Sequence, residues 1–223
     1  MEILRILGIM LLGYLIGSVP FGFILVKLLT GKDIRDVQSG RTGGTNAMRA
    51  AGLWVGIGTG ILDALKTYGS VLLANWLVPG NHLMAALTPA AAVLGHNYSI
   101  FLAQRDKKGK LFFGGGAGGA PVLGGSMGLW PPSFLIILPA GILIYYFVGY
   151  ASVTTLSVGV MSLIIFSIRA VLGLSPGEYV IYAVLGLFLL TWALRPNIKR
   201  LREGNERMHG YRTRKKTGEK TKK

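Results

Sequence analysis

Ile3-Leu4-Arg5-Ile6-Leu7-Gly8-Ile9-Met10-Leu11-Leu12-Gly13-Tyr14-Leu15-Ile16-Gly17-Ser18-Val19-Pro20-Phe21-Gly22-Phe23-Ile24-Leu25-Val26-Lys27-Leu28-Leu29 carries only two charges, one near each end. A bilayer's hydrocarbon core takes about 20 mostly apolar residues as helix, and this run exceeds that. It is too long for a cleaved signal and has no Ala-x-Ala-like site at a sensible place, so it reads as a membrane span. Pro20 lacks a backbone donor and should kink it. Six further apolar stretches follow, at roughly 54–78, 83–103, 112–130, 133–150, 153–172 and 178–194. The expected fold class is an all-α integral membrane protein with seven transmembrane helices. Stretch 112–130, rich in glycine and holding Pro121, is the weakest of the seven and could be a broken or re-entrant segment.

Composition agrees: 51% of the 223 residues are hydrophobic and only 15% charged, against about 25% charged in a soluble domain. Mean hydropathy is +0.51. A soluble enzyme and a disordered protein are both excluded. The absence of cysteine removes disulfides, thiolate metal sites and a Cys nucleophile. The net charge of +15 does not indicate nucleic acid, because half of the 24 Lys and Arg lie in 195–223 and no groove-entering element is apparent.

Basic residues alternate between the connections. Lys32, Arg35, Arg41 and Arg49 lie in 30–53, and Arg105, Lys107, Lys108 and Lys110 in 104–111, while 79–82, 131–132 and 173–177 have none. Positive charge collects on the cytoplasmic side. The two basic connections and the C-terminus are therefore expected in the cytoplasm, and an odd number of spans puts the N-terminus outside. Residues 1–206 read as one membrane domain, and 207–223 as a basic, disordered cytoplasmic tail.

The first basic connection is dense in donors: Asp33-Ile34-Arg35-Asp36-Val37-Gln38-Ser39-Gly40-Arg41-Thr42-Gly43-Gly44-Thr45-Asn46-Ala47-Met48-Arg49. Glycines let backbone N–H groups converge on an anion, hydroxyls and amides add short donors, and Arg matches phosphate oxygens. A phosphate site is favoured over a plain flexible loop. Asp63 and Lys66 share one helix face and should form an ion pair rather than catalyse. His96 is balanced between packing residue and base. No metal-ligand spacing, Gly-x-Ser-x-Gly elbow or Walker motif occurs, so no metal and no cofactor are expected.

Several motifs resemble those of the bacterial acyl-phosphate-dependent glycerol-3-phosphate acyltransferases (the PlsY family). These are Gly17-Ser18-Val19-Pro20-Phe21-Gly22, the Asp33–Arg49 segment, Leu62-Asp63-x-x-Lys66, Leu94-Gly95-His96-x-Tyr98 and Arg195-x-Asn197-Ile198-x-Arg200-Leu201-x-x-Gly204-x-Glu206. The resemblance implies transfer of a fatty acyl group from acyl phosphate to the 1-hydroxyl of glycerol 3-phosphate, in the bacterial inner membrane. Lysophosphatidate and inorganic phosphate are the implied products. Besides membrane lipid, the implied partners are these two substrates and no nucleic acid. Ser39, Arg49, His96 and Asn197 take catalytic places on this reading. Ser39, Gly40, Gly43, Thr45, Asn46, Arg49, Lys108 and Arg200 take phosphate- or substrate-binding places. The chain departs from the family pattern at Arg41, where a small amide is usual, at Ala117, where a lysine is usual, and at Leu194, where a histidine is usual. Lys108 or Lys110 is the expected replacement for that lysine. Two other functions compatible with the residues are a degenerate paralogue that binds a lipid precursor without catalysis, and a transporter of a phosphorylated metabolite. A transporter should show two related halves, and no convincing repeat is present.

Overall fold

The computed structural model describes residues 2–105 and 109–208. The expected tail, beyond Met208, and the expected phosphate ligand Lys108 lie outside the described residues. The fold is all-α apart from one short hairpin. Its elements are α1 (Glu2–Ser18), α2 (Phe21–Thr30), α3 (Gly44–Ala51), α4 (Leu53–Leu77), α5 (His82–Asn97), β1 (Ala103–Arg105), β2 (Leu111–Phe113), α6 (Gly119–Leu129), α7 (Ser133–Val148), α8 (Ala151–Val171), α9 (Glu178–Ala193) and α10 (Arg195–Arg202). The hairpin pairs Ala103 with Phe113 and Arg105 with Leu111.

The expectation of seven membrane-spanning helices is not met. Among the described residues, two helical stretches are long and apolar enough to cross a membrane, Ile3–Thr30 and Ala151–Val171. A third is possible if Glu178–Ala193 and Arg195–Arg202, bent by 62° to each other, count as one span. Stretch 112–130 fails because it is a strand, a glycine-rich coil and an α6 of only 11 residues, about 16 Å of helix against a core of about 30 Å. Stretch 83–103 fails because α5 stops at Asn97 and the chain turns into the hairpin. The α7 helix has 16 residues. The α4 helix is long enough at 25 residues, but Asp63, Lys66 and its glycines and hydroxyls lower its hydropathy. The outside position of the N-terminus, which rested on an odd number of spans, loses its basis with the count.

The bundle is apolar outside and polar inside. Trp54 is 80% and Val171 87% exposed, whereas Thr59, Ser70, Thr88, Ser126 and Ser162 are buried. That inversion suits a lipid surround, where buried polar groups must find partners within the protein. Ser126 Oγ bonds Ser162 Oγ at 2.9 Å, and Tyr182 OH donates to the Val122 carbonyl at 2.8 Å. Small residues set the helix spacing. A Cβ on Gly17 would run into the Ala92 carbonyl, one on Gly95 into the Tyr14 carbonyl, and one on Gly124 into the Ala64 carbonyl. Helices α1 with α5, and α4 with α6, therefore pack backbone against backbone.

The break between α1 and α2 serves the interior. Pro20 offers no N–H, and the Val19 carbonyl beside it accepts a hydrogen bond from Lys66 Nζ at 2.8 Å. Gly31 then ends α2 in a left-handed conformation (φ 70°), its N–H bonded to the Lys27 carbonyl. The basic connections meet at one end of the bundle. Arg35 donates to Gln104 Oε1 at 3.2 Å and Arg207 to Gln38 Oε1 at 3.0 Å.

Candidate active site

The 31–52 connection has its own scaffold. Asp33 Oδ1 accepts the Arg35 N–H at 2.9 Å and caps the single turn Ile34–Asp36. The Arg35 guanidinium grips the same carboxylate at 2.6 Å and holds it below the usual carboxylate range. Gln38 (φ 47°) and Gly40 (φ 66°) make the reversal. Asn46 then ties the loop together: its Nδ2 donates to the carbonyls of Ile34 (3.1 Å), Val37 (2.9 Å) and Arg41 (2.9 Å). The Thr42 N–H donates to the Gly115 carbonyl at 3.2 Å, docking the loop on the glycine-rich segment before α6. Helix α3 starts after Gly43 with no side-chain cap, and the Gly43 carbonyl accepts from the Asn46 and Ala47 N–H groups.

The loop closes over a cavity of about 460 Å³. Ser39, Gly43, Thr45, Asn46, Arg49, His96, Asn197 and Arg200, all expected site residues, line it together. They come from three separate parts of the chain: the loop with α3, α5 and α10. Gly40 shapes the turn and is not in the wall; Lys110 is exposed and not in the wall either. The three departures from the family pattern, Arg41, Ala117 and Leu194, line this same space.

The cavity has two halves. At the loop end stand Arg41, Arg49, Arg200 and Arg207, with Asp63 and Glu206 as the lining acids. The rest of the wall is largely apolar, with Ile57, Leu123, Ile137, Leu138, Ile142 and Val158 from α4, α6, α7 and α8, of which Leu123, Ile137, Leu138 and Val158 pack in one cluster. Burial pushes the Arg41 and Arg49 guanidinium groups below their ordinary value, though an arginine remains charged at neutral pH.

Both lining acids are engaged. Asp63 Oδ1 lies 2.8 Å from Lys66 Nζ and 3.4 Å from His96 Nδ1, which gives the expected Asp63–Lys66 pair and adds His96 as a third member. Lys66 Nζ is 3.0 Å from His96 Nδ1. An ammonium only donates and a carboxylate only accepts, so Nδ1 has a partner in either tautomer, accepting from Lys66 or donating to Asp63, and Nε2 is the other edge of the ring. That edge abuts Gly116, where a Cβ would strike Nε2. Glu206 accepts from Asn197 Nδ2 at 2.9 Å and from Arg200 Nε at 3.0 Å, with its side chain only 6% exposed. Sequence reading quoted Glu206 within a motif without giving it a role; the acid spaced after Asn197 and Arg200 was the available signal. It also missed Ser152, Thr154 and Thr155 in the wall, a hydroxyl cluster opening an otherwise apolar run. Among the described residues no His, Cys, Asp and Glu group could hold a metal ion.

Known proteins share this sequence and architecture. The sequence profile of the family described as "Glycerol-3-phosphate acyltransferase" matches residues 7–204. The chain is 38% identical over 205 residues to a glycerol-3-phosphate acyltransferase of Rubrobacter xylanophilus, covering 92% of this chain and 96% of that one. It is 34% identical over 225 residues to glycerol-3-phosphate acyltransferase 3 of Dehalococcoides mccartyi, covering 93% and 97%. A crystal structure of PlsY (YgiH), an integral membrane glycerol 3-phosphate acyltransferase, in its glycerol 3-phosphate form matches with a TM-score of 0.77. The two are 30% identical, and the match covers 92% of this chain and 96% of that chain. The lysophosphatidic acid form of the same protein matches at 0.76 and 29% identity. With its spanning helices and these relatives, this is a multi-pass integral membrane protein. The chain belongs to the glycerol-3-phosphate acyltransferase family.

Proposed function

We propose that the chain transfers a fatty acyl group from acyl phosphate to the 1-hydroxyl of glycerol 3-phosphate in the bacterial inner membrane, giving lysophosphatidate and inorganic phosphate. The observation that carries this reading is the two-part cavity, in which a cluster of guanidinium groups opens directly onto an apolar channel between helices. An acyl phosphate needs both surroundings at once. Its chain would lie among Ile57, Leu123, Ile137, Ile142 and Val158, and its phosphate among the loop donors.

Acyl phosphate is a mixed anhydride, so no covalent enzyme intermediate is needed. The acceptor oxygen bonds to the acyl carbon, the bond from that carbon to the phosphate oxygen breaks, and the hydroxyl proton leaves on the departing phosphate. The enzyme's part is to position two anions and neutralise charge at the carbonyl. Ser39, Thr45 and Arg49 are assigned to one phosphate, with Gly43 at the α3 N-terminus adding backbone donors. Asn46 acts through the loop it holds together. His96, held at Nδ1 by Lys66 and Asp63, is assigned to orient substrate through Nε2. Asn197 and Arg200, oriented by Glu206, close the site.

Purified protein in lipid vesicles, given acyl phosphate and labelled glycerol 3-phosphate, should release lysophosphatidate and phosphate in equal amounts. Absence of acylated product refutes the reading.

A further inference from the structure

Arg41 is a charge at the cavity whose hydrogen bonds go to neutral backbone groups. Its Nη1 donates to the Gly116 carbonyl at 3.1 Å and its Nη2 to the Ala193 carbonyl. Among the described residues no Asp or Glu forms an ion pair with it, because Asp63 is engaged by Lys66 and Glu206 by Arg200. Two neutral carbonyls use two of the five N–H donors of a guanidinium. The group is also largely withdrawn from water, and it feels both the like charge of Arg200 and the opposite charge of Glu206. A buried cation whose direct partners are neutral carbonyls is only partly compensated within the chain, and a dianion entering the cavity would add charge-assisted bonds. The position is fixed by the two carbonyl contacts. Gly116 adjoins Ala117 and Ala193 adjoins Leu194, so the guanidinium stands between the two places where the chain lacks the usual lysine and histidine.

We infer that Arg41 is a substrate-phosphate ligand in this chain, holding a phosphate dianion beside Gly116 and Ala117 while it pins the loop to the end of α9. The inference rests on the acyl-transfer reading for its choice of substrates. Either acyl phosphate or glycerol 3-phosphate could supply the dianion, and kinetics separate them. In wild type, Arg41→Gln, Arg41→Lys and the double variant Arg41→Gln/Ala117→Lys, KM is measured for each substrate, with inhibition by inorganic phosphate. Arg41→Gln should raise one of the two KM values by about tenfold or more and weaken phosphate inhibition similarly. The substrate whose KM moves is the one Arg41 holds. Arg41→Lys and the double variant should each recover part of the loss, since both return a cation to that wall.

Unchanged KM values and phosphate inhibition in Arg41→Gln overturn the inference, as does a fall in turnover alone that neither cation restores. Should Arg41→Gln fail to fold, wild-type protein serves. Inorganic phosphate should slow modification of Arg41 by an arginine-directed dicarbonyl, read by mass spectrometry, and no slowing overturns the inference. Wild-type protein that makes no lysophosphatidate would instead refute the acyl-transfer reading, leaving the protection result to decide on Arg41.

Discussion

Replacing Asn46 with alanine should dismantle the 31–52 loop while leaving the helical bundle standing. The Asn46 amide has two hydrogens for three backbone carbonyls at 2.9–3.1 Å, and the residue is 2% exposed, so water cannot readily replace it. Each buried hydrogen bond contributes about 0.5–1.5 kcal/mol net, giving about 1–3 kcal/mol for the two hydrogens. The three carbonyls belong to Ile34, Val37 and Arg41, which bracket the turn carrying Ser39. The lost energy therefore falls on site geometry, and kcat/KM should drop by about five- to 150-fold. Steady-state kinetics with both substrates, paired with thermal unfolding in detergent, is the assay. Asn46→Asp keeps the shape, removes the donors and sets a carboxylate against carbonyl oxygens, so it should be no better than alanine. Wild-type kcat/KM in Asn46→Ala would refute the reasoning, and so would activity lost only in step with global unfolding.

Three further outcomes follow from the same geometry. Arg49→Ala should depress turnover far more than Arg214→Ala in the basic tail, and equal effects in the acyl-transfer assay would mean that bulk charge, not a site, is at work. Asp63→Asn leaves the Lys66 ammonium buried without its anion and should cost about 3–5 kcal/mol of stability. The double variant Asp63→Asn/Lys66→Met should unfold closer to wild type, and a double variant less stable than the single would contradict this. Gly17→Val drives a side chain into the Ala92 carbonyl and should lower the unfolding temperature sharply, whereas Gly8→Val, where the added carbon meets nothing within 4 Å, should not.

Much of the site could be read from residue types. A loop crowded with glycines, hydroxyls, an amide and guanidinium groups has few uses besides anion binding, and it does line a cavity. Asp63 and Lys66 at a separation of three on an apolar helix could scarcely avoid each other. The motif from Arg195 to Glu206 placed Asn197 and Arg200 at the site, although the acid orienting them is visible only in three dimensions. Asn46 shows the opposite limit. A short amide in such a loop can serve phosphate or backbone equally well, and only the fold brings three carbonyls to its nitrogen.

The span count misled for a related reason. Hydropathy averages side chains over a window and takes no account of where backbone hydrogen bonding changes partner. Residues 98–103 and 112–118 are apolar or glycine-rich enough to extend two runs into spans, yet their backbone pairs as a hairpin and docks on other segments: the Gly116 N–H meets the His96 carbonyl at 2.9 Å, and the Ser99 N–H the Gly114 carbonyl at 2.9 Å. Leu194, the expected end of the last span, joins two helices bent by 62°. Arg41 looked like an odd cation in a small-residue loop; its contacts with Gly116 and Ala193 give it a place.

The most direct test of the whole account is a structure of the protein soaked with glycerol 3-phosphate together with a non-hydrolysable acyl phosphate analogue. Two phosphates should appear in the one cavity, ligated by Arg49 with Ser39 or Thr45 and by Arg41, with the acyl chain running between α4, α6, α7 and α8. Phosphates bound elsewhere, or none in this cavity at saturating concentration, would contradict it.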